Sequence, residues 1–352
     1  MRVSRLAASI LKRIPGTRRT LQQIATRSWT IHPPQSQATP PAIYIEDDLS
    51  RVTGVQEHTT LPLELRKIRG CTAEHFATTA HEVRDVELLQ GVLVKGAFTM
   101  PAAPRSRRLL SPDPPPIDQP CALSSTYFGG VYFGHWMTDD LSLQLTAESL
   151  GEAVAVDRKP YGHEPGYYQL LDISRQSIPA ARFSQLIVVE DMGQNPDKQR
   201  RYQELRGRMR RHADPEPGRR VYIRRGVSGA LAARRLVNAG EVEALLASQG
   251  FSIIDPDTLS AQQIAAGLAG ARLIVGVEGS HMLHAMYTMA DDARLCIMQP
   301  PYRFYNVIKS YADALNMRYG FTVGDAHPEG FTIRTANLME VLGRLDSAAP
   351  LP

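Results

Sequence analysis

The chain has 352 residues, of which 43% are hydrophobic and 22% charged. The length suits two domains of typical size. The balance of hydrophobic and charged residues is typical of a soluble globular enzyme and excludes a largely disordered chain. No stretch approaches the roughly 18 consecutive apolar residues of a membrane-spanning helix, and three widely separated cysteines argue against a disulfide scaffold.

The basic charge of the chain is concentrated in its N-terminal tail. Residues 1–45 hold seven basic side chains and no acidic one, so the rest keeps 33 basic against 36 acidic side chains. That near balance argues against a partner nucleic acid. Apolar residues recur at helical spacing between Val3 and Ile24, interrupted by Pro15 and Gly16. Such a segment suits an anionic membrane surface, an organellar transit peptide or a disordered leader without a role.

We therefore predict a flexible leader and linker over residues 1–45. The hypothesis for residues 1–32 is contact with a membrane surface. The protein is then expected in the cytoplasm, peripheral on the inner face of the cytoplasmic membrane.

An N-terminal α/β domain is predicted over residues 46–183. Segments 83–89 and 92–98 are strand-like and are joined at Gln90 and Gly91, which predicts an antiparallel pair. Residues 101–120 include seven prolines, so this stretch is expected to form a long surface loop.

Strand-like and helix-like segments alternate over residues 184–345. Strands are predicted at 186–190, 219–224, 251–254, 273–277, 295–298 and 321–323. The helices between them are predicted at 238–250, 260–270, 279–289 and 305–315, with Asn238 and Glu241 placed as a capping box. Repeated β-α order implies a parallel sheet, and ligands of such sheets lie at the carboxyl ends of the strands. The residues at those ends are Arg224, Arg225, Glu278, Gly279, Ser280 and Gln299.

His135 and Asp139 are four residues apart and would share one face of a helix. A histidine and a carboxylate placed in this way form a general base for a hydroxyl nucleophile. The alternative is an ordinary helix start with Asp139 and Asp140 in solvent and Trp136 in the core, and spacing alone favours that alternative.

Arg224, Arg225 and the later Arg234 are candidates for binding a diphosphate, because guanidinium groups bind phosphate oxygens in pairs. The alternative is a solvated basic loop beside residues 198–211, which read as a basic surface helix. A turn at Gly279 and Ser280, next to His281, would let the backbone approach a phosphate.

Glu278, His281 and His284 form a second series with a different possible chemistry. Steps of three drift about 60° each round a helix, so the three side chains would only loosely share one metal ion. Binding of phosphate and packing in the core are equal alternatives for the two histidines.

Taken together, these segments resemble glycosyltransferase family 61, which includes capsular polysaccharide biosynthesis proteins. The resemblance covers about residues 125–325. It rests on Gly134-His135-Trp136 with Asp139, Tyr222-Ile223-Arg224-Arg225 with Arg234 or Arg235, Asn238 with Glu241, Gly250-Phe251, Gln262-Gln263-Ile264 and the strand at 273–276. One position departs from the family pattern: Glu278 stands where the family usually has histidine.

The resemblance implies an α/β protein of GT-B type, with two Rossmann-like domains facing across a cleft. The acceptor would bind to residues 46–183 and the donor to residues 184–345. It also implies an inverting enzyme that needs no metal or other cofactor. Asp139 is the preferred catalytic base and His135 the second choice. The donor-binding residues would be Arg224, Arg225, Arg234, Glu278, Gly279, Ser280 and His281.

The leading hypothesis is thus an enzyme of cell-surface, capsule-type polysaccharide biosynthesis. It would move a sugar from a nucleotide-sugar donor to a glycan or a lipid-linked acceptor. Two alternatives stay open. One is a metal-dependent hydrolase that uses Glu278, His281 and His284, and the other is a non-catalytic protein that binds polyanions through residues 198–225.

Overall fold

The computed structural model of the chain describes residues 19–104, 113–226 and 234–351. The strands of these residues are, in chain order, β1 (Arg27–His32), β2 (Gln35–Ala38), β3 (Thr72–His75), β4 (Thr78–Leu89), β5 (Val92–Lys95), β6 (Phe98–Pro101), β7 (Pro116–Ile117), β8 (Cys121–Leu123), β9 (Glu152–Val156), β10 (Gln176–Ile178), β11 (Ala180–Glu190), β12 (Arg220–Ile223), β13 (Phe251–Ile254), β14 (Leu273–Val277), β15 (Arg294–Gln299), β16 (Arg318–Val323), β17 (Asp325–His327) and β18 (Gly330–Thr332).

The α-helices are Leu21–Ile24, Leu61–Ile68, Tyr127–Val131, Phe133–His135, Leu141–Leu150, Glu164–Leu170, Pro196–Arg210, Ala239–Ser248, Ala261–Leu268, Val307–Ala314 and Thr335–Ser347. Shorter 3₁₀ segments span Glu46–Arg51 and Ser280–Ala285, and a π-helical turn spans Trp136–Asp140. Within the described residues, no helix is both long enough and apolar enough to cross a bilayer.

The described residues form two compact units. Unit 1 contains residues 19–35, 75–104, 113–168 and 173–201. Unit 2 contains residues 36–74, 169–172, 202–226 and 234–351. Residues 36–74 thus join the C-terminal part of the chain, whereas the predicted boundary placed 46–74 in the N-terminal domain. Residues 184–201, predicted for the C-terminal domain, belong to unit 1.

The sheet of unit 1 is mixed. Its main order is β10-β9-β8-β11-β4-β5-β6, with β1 on β4 and β7 on β11. The central β4–β11 pair is antiparallel, whereas β8, β9 and β10 run parallel to one another. The predicted hairpin is confirmed: β4 and β5 pair antiparallel, and both turn residues, Gln90 and Gly91, have positive φ, as a type I′ hairpin turn requires.

The prediction of a flexible leader does not hold for residues 19–45. β1 pairs with β4, and Leu21 and Ile24 lie in the hydrophobic core of unit 1 with Val83 and Phe183. The segment is ordered because strand pairing and the burial of apolar side chains offset the conformational entropy that it loses. Residues 1–18 lie outside the described residues, as do residues 105–112 of the predicted proline-rich loop.

The sheet of unit 2 is parallel throughout, in the order β13-β12-β14-β15-β16. The predicted parallel sheet is therefore confirmed for the strands after residue 219. The predicted strand at 186–190 is instead part of β11, which pairs antiparallel with β4 in unit 1. The chain passes from β12 to β13 on one side and then to β14, β15 and β16 on the other. The strand order thus reverses between β12 and β14, and in open parallel sheets ligands bind at the carboxyl ends of the strands beside such a reversal.

Two of the predicted helix starts differ from the structure. The helix predicted at 279–289 is only a 3₁₀ segment, Ser280–Ala285. Asn238 does precede a helix, but its side chain does not cap that helix. Instead Asn238 bonds the backbone N and O of Ile333 at 3.0 and 2.9 Å. It therefore fixes a neighbouring segment, and the side chain is not available for the capping box.

Candidate functional site

The segment that follows β8 carries the two predicted catalytic residues. Thr126 begins the helix Tyr127–Val131 and accepts a hydrogen bond from the backbone N of Gly129 at 2.9 Å. Asp140 accepts bonds from the backbone N and Oγ1 of Thr126 at 3.0 and 2.7 Å. A Cβ at Gly129 would collide with the Asp140 carboxylate, so glycine is needed there.

Asp140 is buried, in contrast to the alternative in which both aspartates lie in solvent. Burial is the main reason that the pKa of Asp140 rises to about 7, and the hydrogen bonds from Thr126 oppose this rise. Trp136 lies in the core, as that alternative predicted, and its Nε1 donates to the Tyr168 hydroxyl at 3.0 Å.

His135 and Asp139 form an acid–base pair. His135 Nδ1 and Asp139 Oδ2 are 2.7 Å apart across the π-helical turn, so the prediction that they share one face is confirmed. Such turns inside helices occur frequently at functional sites. No described residue forms a hydrogen bond with Nε2 of His135, which leaves this nitrogen for a ligand.

Lys198 holds the other side of the Asp139 carboxylate. Its Nζ donates to Asp139 Oδ1 at 2.9 Å and to the backbone O of Asp191 at 3.0 Å. The residue is 1% exposed. Arg201 is equally buried and forms two bonds of 2.9 Å with the Asp191 carboxylate. The prediction of a basic surface helix at 198–211 is therefore wrong at these positions.

The ion pair with Lys198 controls the protonation of Asp139. Burial alone would raise its pKa, but Lys198 and the hydrogen bond from His135 outweigh burial and lower the pKa to about 2. Asp139 is consequently a carboxylate at neutral pH. Because its pKa is so low, it is a weak proton acceptor. Its negative charge strengthens the hydrogen bond that it accepts from the imidazole.

A cavity of about 630 Å³ lies in unit 1 beside the acid–base pair. Its volume is in the range of small-molecule sites in proteins. Its lining residues are Leu21, Phe76, Ala77, Thr79, Met100, Pro101, Leu123, Ser125, Thr126, Tyr127, Phe128, His135, Asp139, Leu143, Val188, Val189, Glu190, Asp191 and Met192.

A second candidate site lies in unit 2, at the strand-order reversal between β12 and β14. Glu278, directly after β14, is buried and accepts bonds at Oε2 from Arg234 at 2.9 Å and from Arg303 at 2.8 Å. Arg225, after β12, donates to the backbone O of Glu278 at 3.0 Å. We call Arg225, Arg234 and Arg303 around Glu278 the arginine cluster. Three guanidinium groups against one carboxylate leave it positive.

Gly279 and His281 extend the arginine cluster. A Cβ at Gly279 would collide with the Arg225 guanidinium, so the close approach depends on glycine. His281 Nδ1 accepts from Arg225 at 3.4 Å, whereas its buried Nε2 has no partner among the described residues. Burial and the neighbouring Arg225 hold the pKa of His281 well below its usual range. Its ring is therefore neutral.

Arg224, predicted with Arg225 as a donor-binding residue, is engaged elsewhere. It forms bonds of 2.8 and 2.7 Å with the Glu243 carboxylate and one of 3.0 Å with Asp255. These two acids neutralise its charge. The structure thus groups Arg225, Arg234, Glu278, Gly279 and His281, and leaves Arg224 out. Ser280 begins the 3₁₀ segment directly after Gly279.

The described residues do not support the alternative metal centre. They contain no group of three or more histidine, cysteine or acidic side chains arranged to hold a metal ion. Glu278 is bonded by two arginines, whose charges would repel a cation. The hydrolase hypothesis built on Glu278, His281 and His284 therefore loses its central ligand.

A comparison with protein families assigns the middle of this chain to a family. The family model described as Glycosyltransferase 61 matches residues 133–297. This part of the chain belongs to glycosyltransferase family 61. The resemblance is thereby confirmed, and membership implies an enzyme that uses a sugar donor and an acceptor. No curated protein matches the chain.

The family 61 match includes the acid–base pair, Lys198 and all of the arginine cluster except Arg303. Arg303 and Lys198 are the residues that sequence reasoning missed. Arg303 follows β15, so the rule that ligands bind at strand ends contained a signal for it. Lys198 offered none, because a basic helix in sequence is usually solvated.

Proposed function

We propose that this family 61 protein is an inverting glycosyltransferase in which His135 is the general base. One observation carries the proposal: Asp139 binds Nδ1 of His135 at 2.7 Å, and both residues line the cavity of unit 1. A carboxylate that accepts from Nδ1–H places the lone pair on Nε2, the nitrogen that has no partner among the described residues. This order of roles reverses the sequence-based ranking, in which Asp139 came first.

The proposed reaction is one displacement at the anomeric carbon of the donor sugar. The acceptor oxygen forms a bond to that carbon while the bond to the diphosphate oxygen breaks and its electron pair leaves with the diphosphate. Nε2 of His135 takes the acceptor proton. Asp139, held as a carboxylate by Lys198, stabilises the imidazolium that forms. The anomeric configuration is inverted because there is a single displacement.

We propose that the arginine cluster of unit 2 binds the diphosphate of the donor. Its positive charge would stabilise the leaving diphosphate without a metal ion. Two buried nitrogen atoms, Nε2 of His281 and Nε of Arg234, have no partners among the described residues and are suited to ligand oxygens. Glu278 offsets one of three positive charges, so it does not prevent anion binding. It stands beside the phosphate site as a neutralised carboxylate.

Replacing Arg225 with glutamine is expected to weaken binding of nucleoside diphosphates about 10- to 100-fold, because a charged hydrogen bond to phosphate contributes about 1.5–3 kcal/mol. The measurement is the thermal shift with ADP, CDP, GDP and UDP, with and without EDTA, each variant being compared with its own unliganded form. R224Q is the matched control and should keep the wild-type shift. An equal loss in both variants would return Arg224 to the donor site, and a shift abolished by EDTA would contradict metal independence.

We propose that the chain has a fold of GT-B type, with one Rossmann-like domain for the donor and one for the acceptor. The parallel sheet of unit 2 and the positive cluster at its strand-order reversal support a donor domain. The cavity of unit 1 supports an acceptor side. The mixed sheet of unit 1 means that this half departs from a simple parallel pattern.

We propose that the enzyme serves cell-surface polysaccharide biosynthesis from the cytoplasmic face of the membrane, with its basic N-terminal segment on anionic lipid. Residues 1–18 hold five basic side chains, and each basic side chain near an anionic surface contributes about 1 kcal/mol to binding. Deletion of residues 1–18 should therefore weaken sedimentation with phosphatidylglycerol vesicles at least tenfold. Phosphatidylcholine vesicles are the control. Unchanged binding to the anionic vesicles would remove this proposal. Deleting residues 1–32 is unsuitable, because it removes β1 and the core contacts of Leu21 and Ile24.

A further inference from the structure

We propose that the acceptor carries an apolar group close to its reacting hydroxyl, and that the cavity of unit 1 binds this group. The inference rests on the proposed function, since His135 must face the acceptor. It chooses between the two acceptor classes left open above, because it favours an alkyl- or aryl-linked acceptor over a free glycan.

The wall of the cavity is mainly apolar. The side chains next to the acid–base pair are mainly aliphatic, aromatic or thioether groups. Leu123, Leu143 and Val188 are buried members of this wall. Such a surface gains free energy by covering apolar groups and offers no hydrogen bonds.

Four polar side chains of the wall are already engaged, and Thr79, Tyr127, Glu190 and His135 are its other polar members. Thr126 Oγ1 donates to Asp140 at 2.7 Å, and Ser125 Oγ accepts from the backbone N of Val156 at 2.8 Å. The Asp191 carboxylate is held by Arg201, and Asp139 by Lys198 and His135. A free sugar in this space would bring several hydroxyl groups to few open partners, and each buried unsatisfied group is costly.

Apolar side chains also lie at the margin of the cavity. Phe76 and Met192 also line it, yet they are 71% and 74% exposed. Clusters of large, exposed apolar side chains on a protein surface often mark binding sites. The apolar lining therefore continues from buried Leu123 and Leu143 to exposed Phe76 and Met192, as an elongated alkyl or aryl group would require.

The experiment compares n-octyl β-glucoside with phenyl and methyl β-glucoside, each below any micelle concentration, by titration calorimetry on the full chain. Each buried methylene strengthens binding about fourfold. Two to four buried methylenes should therefore make the octyl glycoside bind about 10- to 200-fold more tightly than the methyl glycoside. The phenyl glycoside separates the two apolar classes, since tighter binding of the phenyl probe than of the octyl probe would indicate an aryl group.

Two exposed positions keep the test independent of folding. Phe76→Ser and Met192→Ser should each weaken the octyl glycoside several-fold and leave the nucleoside diphosphate thermal shift unchanged. Leu63→Ser is the matched control, because Leu63 is 50% exposed and lies in unit 2. Equal binding of the octyl and methyl probes, binding of neither, or equal effects of all three substitutions would overturn the inference. The proposed transferase would survive those results, since nucleotide binding and the His135 variant test it separately.

Discussion

Replacing His135 with glutamine is expected to lower kcat by about 10²- to 10⁴-fold, the usual effect of removing a general base. Glutamine keeps a polar side chain beside Asp139 but cannot accept the acceptor proton. Binding of the nucleoside diphosphate should be unchanged, because the arginine cluster does not include His135. The measurement is single-turnover transfer with the donor that the nucleotide panel identifies.

Asp139→Asn completes this test. Asparagine no longer secures the imidazole tautomer of His135 that carries its proton on Nδ1. The kcat of the D139N variant should therefore also fall, by about 10²-fold or more. H58Q, at an exposed histidine of unit 2, is the control and should be fully active. A fully active H135Q together with an inactive D139N would make Asp139 the base. In that case the acid limb of the pH–rate profile should follow the Asp139 pKa of about 2 and leave the rate flat above about pH 4.

Replacing Lys198 with methionine is expected to lower the free energy of unfolding by about 3 kcal/mol, the lower end of the cost of breaking a buried ion pair. The Asp139 carboxylate that loses its cation is 23% exposed at its side chain. Asp139 would lose its partner at 2.9 Å, whereas Asp191 would keep Arg201. Urea denaturation measures the change. Arg200→Met on the same helix is the matched control. Arg200 is 65% exposed at its side chain, so its loss should cost within about 0.5 kcal/mol.

The stability difference between wild type and K198M should depend on pH in a defined direction. The pKa of Asp139 is lowered from 3.8 to about 2 in the folded protein. Its charged form therefore stabilises the fold above the unfolded pKa, and this contribution is lost as the pH falls through the folded pKa. The difference should narrow as the pH falls from about 4 toward 2. Equal stabilities at neutral pH would show that Lys198 contributes no net stabilisation.

The basic helix Pro196–Arg210 also bears on the polyanion-binding alternative. Lys198, Arg201 and Arg206 are buried. Arg206 donates to the backbone O of Met289 at 2.7 Å and to Asp291 at 2.9 Å, within unit 2. These cations hold the protein together and are not presented to a polyanion. The hypothesis of a polyanion-binding surface over residues 198–225 therefore loses three of its charges.

Much of the candidate site could be predicted because it is encoded over short distances in sequence. The four-residue spacing of His135 and Asp139 follows from the helical repeat alone. The apolar run Leu273–Val277, followed by Glu278 and Gly279, indicates a buried strand and the turn after it. Repeated β-α order then placed Arg225 and Glu278 at one edge of a parallel sheet, although they are 53 positions apart.

The partners of the charged groups depend on the tertiary structure. Lys198 reads as a solvated residue until the fold brings Asp139, 59 positions away, within 2.9 Å. Arg224 and Arg225 are adjacent in sequence, yet one is neutralised by Glu243 and Asp255 and the other joins the arginine cluster. Local periodicity fixes which face a side chain takes, because it depends on neighbours within one or two turns. Burial, charge neutralisation and pKa depend on groups from distant segments, so they emerge only when the chain is folded.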